Sequence, residues 1–321
     1  MNKFSKKINF YSSIGMRASF GMIMLELVKK DKNLMVLTSD VSTSAGLDRF
    51  RNQHKENYLE IGISEQNMIG VAAGLSNDGF KVFTSTFSPF QTLRCLEQIK
   101  VNLGYMNIKI CMVGLASGLV LGNLGYTHCS VEDVGALRSI PNIDILTPCD
   151  GLELEKCLTA FNKSNNSMYI RLTGSSPLKK IHNENYKFKI GEPNKIKDGK
   201  KIVLFSSGAI INEVLIASEI LKKNKIFPTI INVHSLKPIN KKNVLNFLKG
   251  HKYVVTIEEH NILGGLGSVI AEVISEAGKS YKLLRLGVKD TYSKSGSYDY
   301  LKKLHGIDSV SIANKVKSIL K

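Results

Sequence analysis

Across residues 12–173, short β-branched and apolar runs alternate with helical stretches of about 10 to 15 residues. A chain with this rhythm lays its strands parallel, because each helix carries it back across the sheet and both sheet faces end up covered. The pattern predicts a helix over 14–30, strands over 34–38 and 58–61, and a helix over 64–76. A strand over 81–84, a helix over 91–103 and strands over 108–113 and 144–147 follow, then a helix over 151–161 and a strand over 168–172. The rhythm stops between 174 and 200, where Gly, Ser, Pro, Asn and Lys accumulate without periodicity, as in a linker. A second, smaller unit then reads as strand 202–205, helix 210–223, strands 229–233 and 253–257, helix 266–274, strand 281–286 and a closing helix 309–320. The predicted fold class is α/β, with two parallel-sheet three-layer domains over 1–175 and 201–321 and a linker over 176–200.

A length of 321 residues allows each unit its own core, and the apolar fraction of 43% suits a globular chain. No run of about 18 apolar residues is present to span a membrane; the longest candidate, 108–121, is interrupted by Lys109, Gly114, Ser117 and Gly118. Residues 1–16 hold lysines but no apolar segment of a secretory signal, so the expected location is cytoplasmic. Five cysteines, odd in number and at no metal-like spacing, read as reduced structural thiols. The formal charge of +17 comes mostly from lysines spread along the chain, with only seven arginines. A nucleic-acid reader concentrates its charge among exposed aromatics. Here the lysines of 237–252 alternate with Val244, Leu245, Phe247 and Leu248, as on the solvated face of a helix. Neither nucleic acid nor membrane is an expected partner.

Loops at the carboxyl ends of parallel strands converge on one crevice, and chemistry is sought there. In Ile61-Gly62-Ile63-Ser64-Glu65-Gln66-Asn67-Met68 one carboxylate, Glu65, enters the first turn of a helix just after a strand. Alone, it needs no purpose beyond favouring the helix dipole. Four clusters accompany it. Thr38 to Ser44 is a hydroxyl-rich loop around Asp40, and Thr86 to Phe90 carries Phe87 and Phe90 ahead of a helix. Gly114 to His128 is Gly-rich, either a mobile surface loop or a place where backbone approaches a ligand and presents an imidazole. Arg17 and Arg171 flank the unit at its first helix and last strand. Gly264-Gly265-Leu266-Gly267-Ser268, opening a helix after Glu258-Glu259-His260, is either an anion nest or a close packing contact. A P-loop, HExxH, GxSxG and the dinucleotide-binding GxGxxG are all missing from the sequence.

Taken in order, Ile63-Ser64-Glu65-Gln66, Thr86 to Phe90, the loop ending Thr127-His128, Ile140-Pro141-Asn142 with Thr147-Pro148-Cys149-Asp150, and Ile257-Glu258-Glu259-His260 with Gly264 to Gly267 resemble the pyrimidine-binding and C-terminal domains of transketolases. The resemblance covers nearly the whole chain and is strongest to the small subunit of transketolases split into two polypeptides. It implies thiamine diphosphate as cofactor and transfer of a two-carbon ketol unit between sugars. It gives Glu65 the bond to the pyrimidine nitrogen that promotes the imino tautomer, and Phe90, with Phe87, the stacking on that ring. Asp40 would line the thiamine site and His128 would donate to substrate oxygens as charge develops. Arg17, Ser44 and Arg171 would bind the substrate, Arg17 and Ser44 through its phosphate.

Departures from the family pattern carry their own implications. Leu124 stands where transketolases carry an acid that reads donor stereochemistry, Ala116 falls where a second histidine is expected, and Thr173 replaces another phosphate-binding arginine. A dedicated pathway, such as one making an unusual sugar for a surface glycan, follows as the expectation. The Gly-Asp-Gly segment and downstream Asn through which the family anchors the diphosphate on Mg²⁺ are absent from the sequence. A partner subunit is therefore expected to bring the diphosphate and Mg²⁺ site, in an α2β2 assembly. Two other thiamine enzymes are alternatives: the β subunit of a 2-oxo acid or acetoin dehydrogenase, which shares the two-domain layout but usually lacks the Gly-Gly-Leu-Gly and Thr-His arrangement, and a 1-deoxyxylulose-synthase-like condensing enzyme, which shares these motifs. A binding protein or degenerate subunit is disfavoured by the joint presence of Glu65, Phe90 and His128. Glu65, read as lying on an exposed edge, is expected to contribute little to stability.

Overall fold

Strand after strand of the first unit is apolar on both faces, and such strands become interior members of a parallel sheet. The computed structural model describes residues 3–175 and 177–320. Met1, Asn2, Ser176 and Lys321, which fall inside the spans predicted for the domains and linker, lie outside the described residues. The strands are β1 Leu34–Thr38, β2 Tyr58–Glu60, β3 Lys81–Phe87, β4 Cys111–Leu115, β5 Ile143–Leu146, β6 Ser167–Arg171, β7 Asn194–Lys197, β8 Lys201–Ser206, β9 Thr229–Asn232, β10 Ser235–Lys237, β11 His251–Asn261 and β12 Lys282–Val288. They form a seven-stranded sheet in the order β10-β5-β6-β4-β3-β1-β2 and a five-stranded sheet in the order β12-β11-β8-β9-β7. Side chains of Val36, Phe83, Cys111 and Ile170 fill one buried cluster, while Leu37, Val82, Met112 and Tyr169 fill another. This is the period-two alternation of a sheet covered on both faces.

Each sheet departs from all-parallel pairing at one edge. β10 runs antiparallel to β5, so a strand from beyond the linker completes the first sheet. β7 lies within the stretch read as linker and runs antiparallel to β9. Both are three- or four-residue edge strands with one apolar side chain each, Leu236 and Ile196, too few to show alternation. The two units also share a core: one buried cluster includes Leu37 and Met68 of the first sheet's surroundings together with Leu236, Val203, Phe205 and Ile270.

Helices follow where their apolar spacing puts them. In Glu65–Asn77, Met68, Ile69, Ala72 and Ala73 are buried while Asn67, Gly70 and Gly74 are exposed. Ser309–Leu320 buries Ile312, Ala313, Val316 and Ile319, and each larger side chain contributes about 1.5–3 kcal/mol by leaving water. The first helix, Lys3–Leu27, begins earlier than predicted and breaks at Gly15, whose φ of 77° only glycine adopts readily. The helix predicted over 91–103 is instead a chain of short turns: Ser88–Gln91, Leu93–Cys95, Leu96–Gln98 and a π-helical Ile99–Tyr105. Thr92 (φ −116°, ψ −78°) interrupts it, its hydroxyl bonding back to the Ser88 carbonyl at 2.7 Å. Among the described residues no helix is long and apolar enough to cross a membrane.

Candidate active site

Four neighbouring strands, β4, β3, β1 and β2, end on the same side of the first sheet, and the loops that follow them carry the side chains singled out above. After β2, Gly62 (φ 75°) turns the chain so that Ser64 stands at the N-cap position, its hydroxyl donating back to the Ile61 carbonyl at 2.9 Å, and Glu65 begins the helix. Glu65 is 3% exposed, not on an open edge, and its Oε2 accepts a hydrogen bond from Arg94 Nη1 at 2.7 Å. The expectation that it matters little to stability is thereby overturned, since a buried carboxylate with one cationic partner is costly to unpair. The Arg94 guanidinium carbon lies 3.9 Å from the centroid of the Phe90 ring. Phe90 in turn meets His128 edge-on at 5.2 Å and Phe87 at 6.4 Å, and Phe87 meets His128 at 6.3 Å. Thr127 Oγ1 stands 3.0 Å from His128 Nδ1. Glu65, Phe87, Phe90 and His128 thus form one cluster, joined through Arg94.

The loops after β1 and β2 are tied by a carboxylate that sequence reasoning passed over. Glu60 accepts hydrogen bonds from Thr38 Oγ1 (2.6 Å), Tyr58 Oη (2.9 Å) and the backbone N–H groups of Asp40 (2.8 Å) and Gly62 (2.9 Å). Burial opposes its ionisation, but these donors outweigh it and hold the carboxyl below its ordinary range. Asp40 is exposed and takes up left-handed backbone (φ 55°). The same loop packs its backbone on the first helix: a Cβ on Gly46 would stand 2.8 Å from Ala18 Cα and 3.0 Å from the Arg17 carbonyl. Half-buried Ser44 therefore sits in a turn that abuts the helix at exposed Arg17.

Arg171 does not join them. It is 3% exposed, and its Nε donates to Asp133 Oδ2 at 2.7 Å while Nη2 donates to the carbonyls of Ser130 (2.9 Å) and Glu259 (2.8 Å). Asp133, wholly buried, also accepts from Tyr169 Oη at 2.7 Å. The guanidinium ties β6 to the Ser130–Asp133 segment of the first unit and to Glu259 of the second, and these contacts lend no support to the substrate-binding role expected of Arg171. Glu259 holds the Gly-rich loop from the same side, accepting from Leu119 N and Tyr298 Oη, each at 2.7 Å. Gly118 (φ 74°) passes so close that a Cβ there would collide with the Glu259 carboxylate. Paired hydrogen bonds between Gly118 and Ser130 close the loop at its base (2.9 and 3.0 Å), so the segment presenting His128 is clamped. Next to it, Glu258 accepts from Leu266 N (2.6 Å) and Gly267 N (2.8 Å). The helix start that could form an anion nest is thus filled by the chain's own carboxylate, which burial pushes up to about 7 against the pull of those two N–H groups.

Known families match this arrangement along nearly its whole length. A model of the transketolase pyrimidine-binding domain matches residues 12–176, and one of the transketolase C-terminal domain matches residues 191–312. The chain belongs to the transketolase family. It is 35% identical over 308 residues to a putative transketolase C-terminal section of Methanocaldococcus jannaschii, covering 96% of each chain. It is 35% identical over 296 residues to one of the subunits of an apulose-4-phosphate transketolase of Actinobacillus succinogenes, covering 92% of this chain and 95% of that one. A solved split-gene transketolase, described as an inactive β4 tetramer, superposes with a TM-score of 0.86 at 28% identity, covering 94% of this chain and 97% of that one.

Membership in the transketolase family brings thiamine diphosphate with it, and the side chains fit its pyrimidine end. A buried carboxylate and a half-buried aromatic ring both contact one arginine, itself 40% exposed. Mg²⁺ finds no such match: among the described residues the group of side chains able to hold a metal is Cys149, Glu153 and His182, a thiol–imidazole–carboxylate set unlike the all-oxygen shell of a hard cation. Arg94, Glu60, Asp133 and Glu259 are the site residues that sequence reasoning missed. Arg94 follows Phe90 by four positions, and Glu259 is an acid inside an apolar strand, so both left a readable trace.

Proposed function

We propose that this chain is the thiamine-activating C-terminal subunit of a two-component transketolase that moves a two-carbon ketol unit between sugars in a specialised pathway. The observation that carries the reading is the cluster of Glu65, Phe87, Phe90 and His128 at the carboxyl ends of β2, β3 and β4. The division proposed is a pyrimidine-binding domain over 1–175 and a C-terminal domain over 201–321, with 176–200 between them.

When bound, thiamine diphosphate supplies a thiazolium carbon that adds to the keto group of the donor. Glu65 holds a proton at its carboxyl oxygen toward the pyrimidine ring nitrogen. Phe90, supported edge-on by Phe87, offers a flat face for that ring and keeps water from it. His128, clamped from beneath by the Glu259-bound loop, donates from its imidazole to the donor's oxygens. Asp40 lines the thiamine side of the opening, and Arg17 with Ser44 receives the substrate's anionic end.

The diphosphate and Mg²⁺ are assigned to an N-terminal partner subunit in an α2β2 assembly. Support comes from the sequence, which has no Gly-Asp-Gly segment, and from the solved relative described as an inactive β4 tetramer. Specialisation is supported by Leu124, which presents an exposed apolar side chain in place of the family's acid. Thr173 supports it too, its hydroxyl accepting from Ala209 N at 2.9 Å instead of serving a phosphate. A relative named for apulose 4-phosphate agrees with that reading. The test is reconstitution with the N-terminal subunit and a panel of ketose donors and aldose acceptors. The proposal expects transfer with only a narrow pair, and turnover of xylulose 5-phosphate with ribose 5-phosphate as fast as any other pair would overturn the specialised reading.

A further inference from the structure

The roles above leave Arg94 without a task, yet it makes the two most direct contacts in the cleft. Its Nη1 donates to Glu65 Oε2 at 2.7 Å, and its guanidinium carbon stands 3.9 Å from the Phe90 ring centroid. A guanidinium is a flat group with N–H donors along its edge. Face on Phe90 and edge on Glu65 are also the two contacts assigned here to the cofactor's pyrimidine. Glu65 is 3% exposed and Arg94 40% exposed, so the arginine is the cover over the carboxylate, and a ring that is to reach Glu65 has to displace it.

We propose that Arg94 is an internal stand-in for the pyrimidine. It keeps Glu65 paired and Phe90 covered while the subunit is empty, and it swings away when the cofactor enters. The inference rests on the thiamine reading of the site. Without Arg94, the chain would carry a buried carboxylate lacking its cationic partner, a strongly destabilised state. The backbone is arranged to let the side chain move while its base stays fixed. The Arg94 carbonyl is pinned by Gln66 Nε2 at 3.0 Å, in the short turn that follows the break at Thr92. On the outer side lies an open groove of about 630 Å³, lined by Arg94 itself with Gln66, Leu93, Ala136 and Ile140, which has room for the displaced guanidinium. Arg94 is thus a positioning residue that competes with the cofactor for the same two side chains. It lowers apparent affinity by the fraction of time it occupies them.

Thiamine diphosphate with Mg²⁺ is titrated calorimetrically into the complete two-subunit enzyme, comparing wild type with Arg94→Ala, and the melting temperature of the isolated chain is measured for the same variants. The proposal expects Arg94→Ala to bind the cofactor at least about five-fold more tightly, because nothing has to be displaced. It also expects the variant chain to melt earlier on its own, with Arg94→Ala/Glu65→Gln regaining most of that loss. Should Arg94→Ala not fold, Arg94→Gln keeps a hydrogen bond to Glu65 without the charge, and the same tightening is expected. Unchanged or weaker cofactor binding in the folded variant overturns the proposal, since Arg94 then either stands aside or holds the cofactor. If the wild-type enzyme binds no thiamine diphosphate, or Glu65→Ala binds it as well as wild type, the thiamine reading itself has failed. Normal wild-type binding with no tightening in Arg94→Ala removes only the stand-in.

Discussion

Arg171 is where the family pattern and the structure disagree, and Arg171→Met decides between them. The guanidinium makes three hydrogen bonds, to Asp133 Oδ2 and to the carbonyls of Ser130 and Glu259. Removing it strands Asp133, 0% exposed, with Tyr169 Oη as the remaining donor to Oδ2, while its Oδ1 accepts no hydrogen bond and has His260 Nε2 at 3.8 Å. Breaking a buried pair from one side costs about 3–5 kcal/mol, because the surviving charge stays buried. Urea denaturation of the isolated chain at neutral pH should show a loss of that size. The double variant Arg171→Met/Asp133→Leu, which removes both charges, should recover at least half of it. In the reconstituted enzyme, KM for a phosphorylated donor should stay within about two-fold of wild type for the folded fraction. A stability change below about 1 kcal/mol together with a selective rise in that KM refutes the reasoning and returns Arg171 to the substrate.

Three further outcomes follow from the same contacts. His128→Ala in the complete enzyme should lower kcat by about 10²–10³-fold while cofactor affinity changes little; equal losses in both would make His128 a cofactor-positioning residue instead. Glu259→Ala leaves the Leu119 N–H and the Tyr298 hydroxyl without their acceptor, at about 1–3 kcal/mol each. Hydrogen exchange at the amides of 117–130 should accelerate, and unchanged protection there would show that the His128 loop is held by something else. Glu258, pushed up to about 7 from an ordinary value of 4.5, binds its proton more tightly folded than unfolded. Its contribution to stability is therefore full below about pH 4.5 and fades as pH rises to about 7. Glu258→Gln should flatten that decline by up to roughly 3 kcal/mol, and a decline of the same size in the variant would place its origin elsewhere.

The order of strands and helices was legible because most core strands are apolar on both faces and most helices carry a clean one-sided stripe. Ser309–Leu320 begins and ends where its apolar spacing says it should. The edge strands β7 and β10 escaped notice because one apolar side chain apiece gives no period to read. The region 88–105 escaped for a different reason: its composition suits a helix, and only the back-bonded Thr92 hydroxyl and the π-helical end reveal otherwise. In the site, Glu65, Phe90 and His128 were found from motif order, whereas their supports came from elsewhere in the chain. Asp133 and Arg171 lie 38 positions apart, and Leu119 and Glu259 lie 140 apart. Hydrogen bonds at such separations depend on how distant strands and loops assemble, and for Glu259 on how the two units dock, which no local pattern encodes. The burial of Glu65 is of this kind too, since its cover, Arg94, sits 29 positions away in an irregular turn.

The central claim is that this chain grips the pyrimidine of thiamine diphosphate through Glu65 but needs a second polypeptide for the rest of the cofactor. Calorimetric titration of thiamine diphosphate with Mg²⁺ into the isolated chain, the isolated N-terminal subunit and their complex, with wild-type and Glu65→Ala chains, tests both halves of it. Tight binding in the wild-type complex alone, weakened by Glu65→Ala, is the predicted result. Equally tight binding by the isolated chain, or binding by the complex that is indifferent to Glu65, would contradict it.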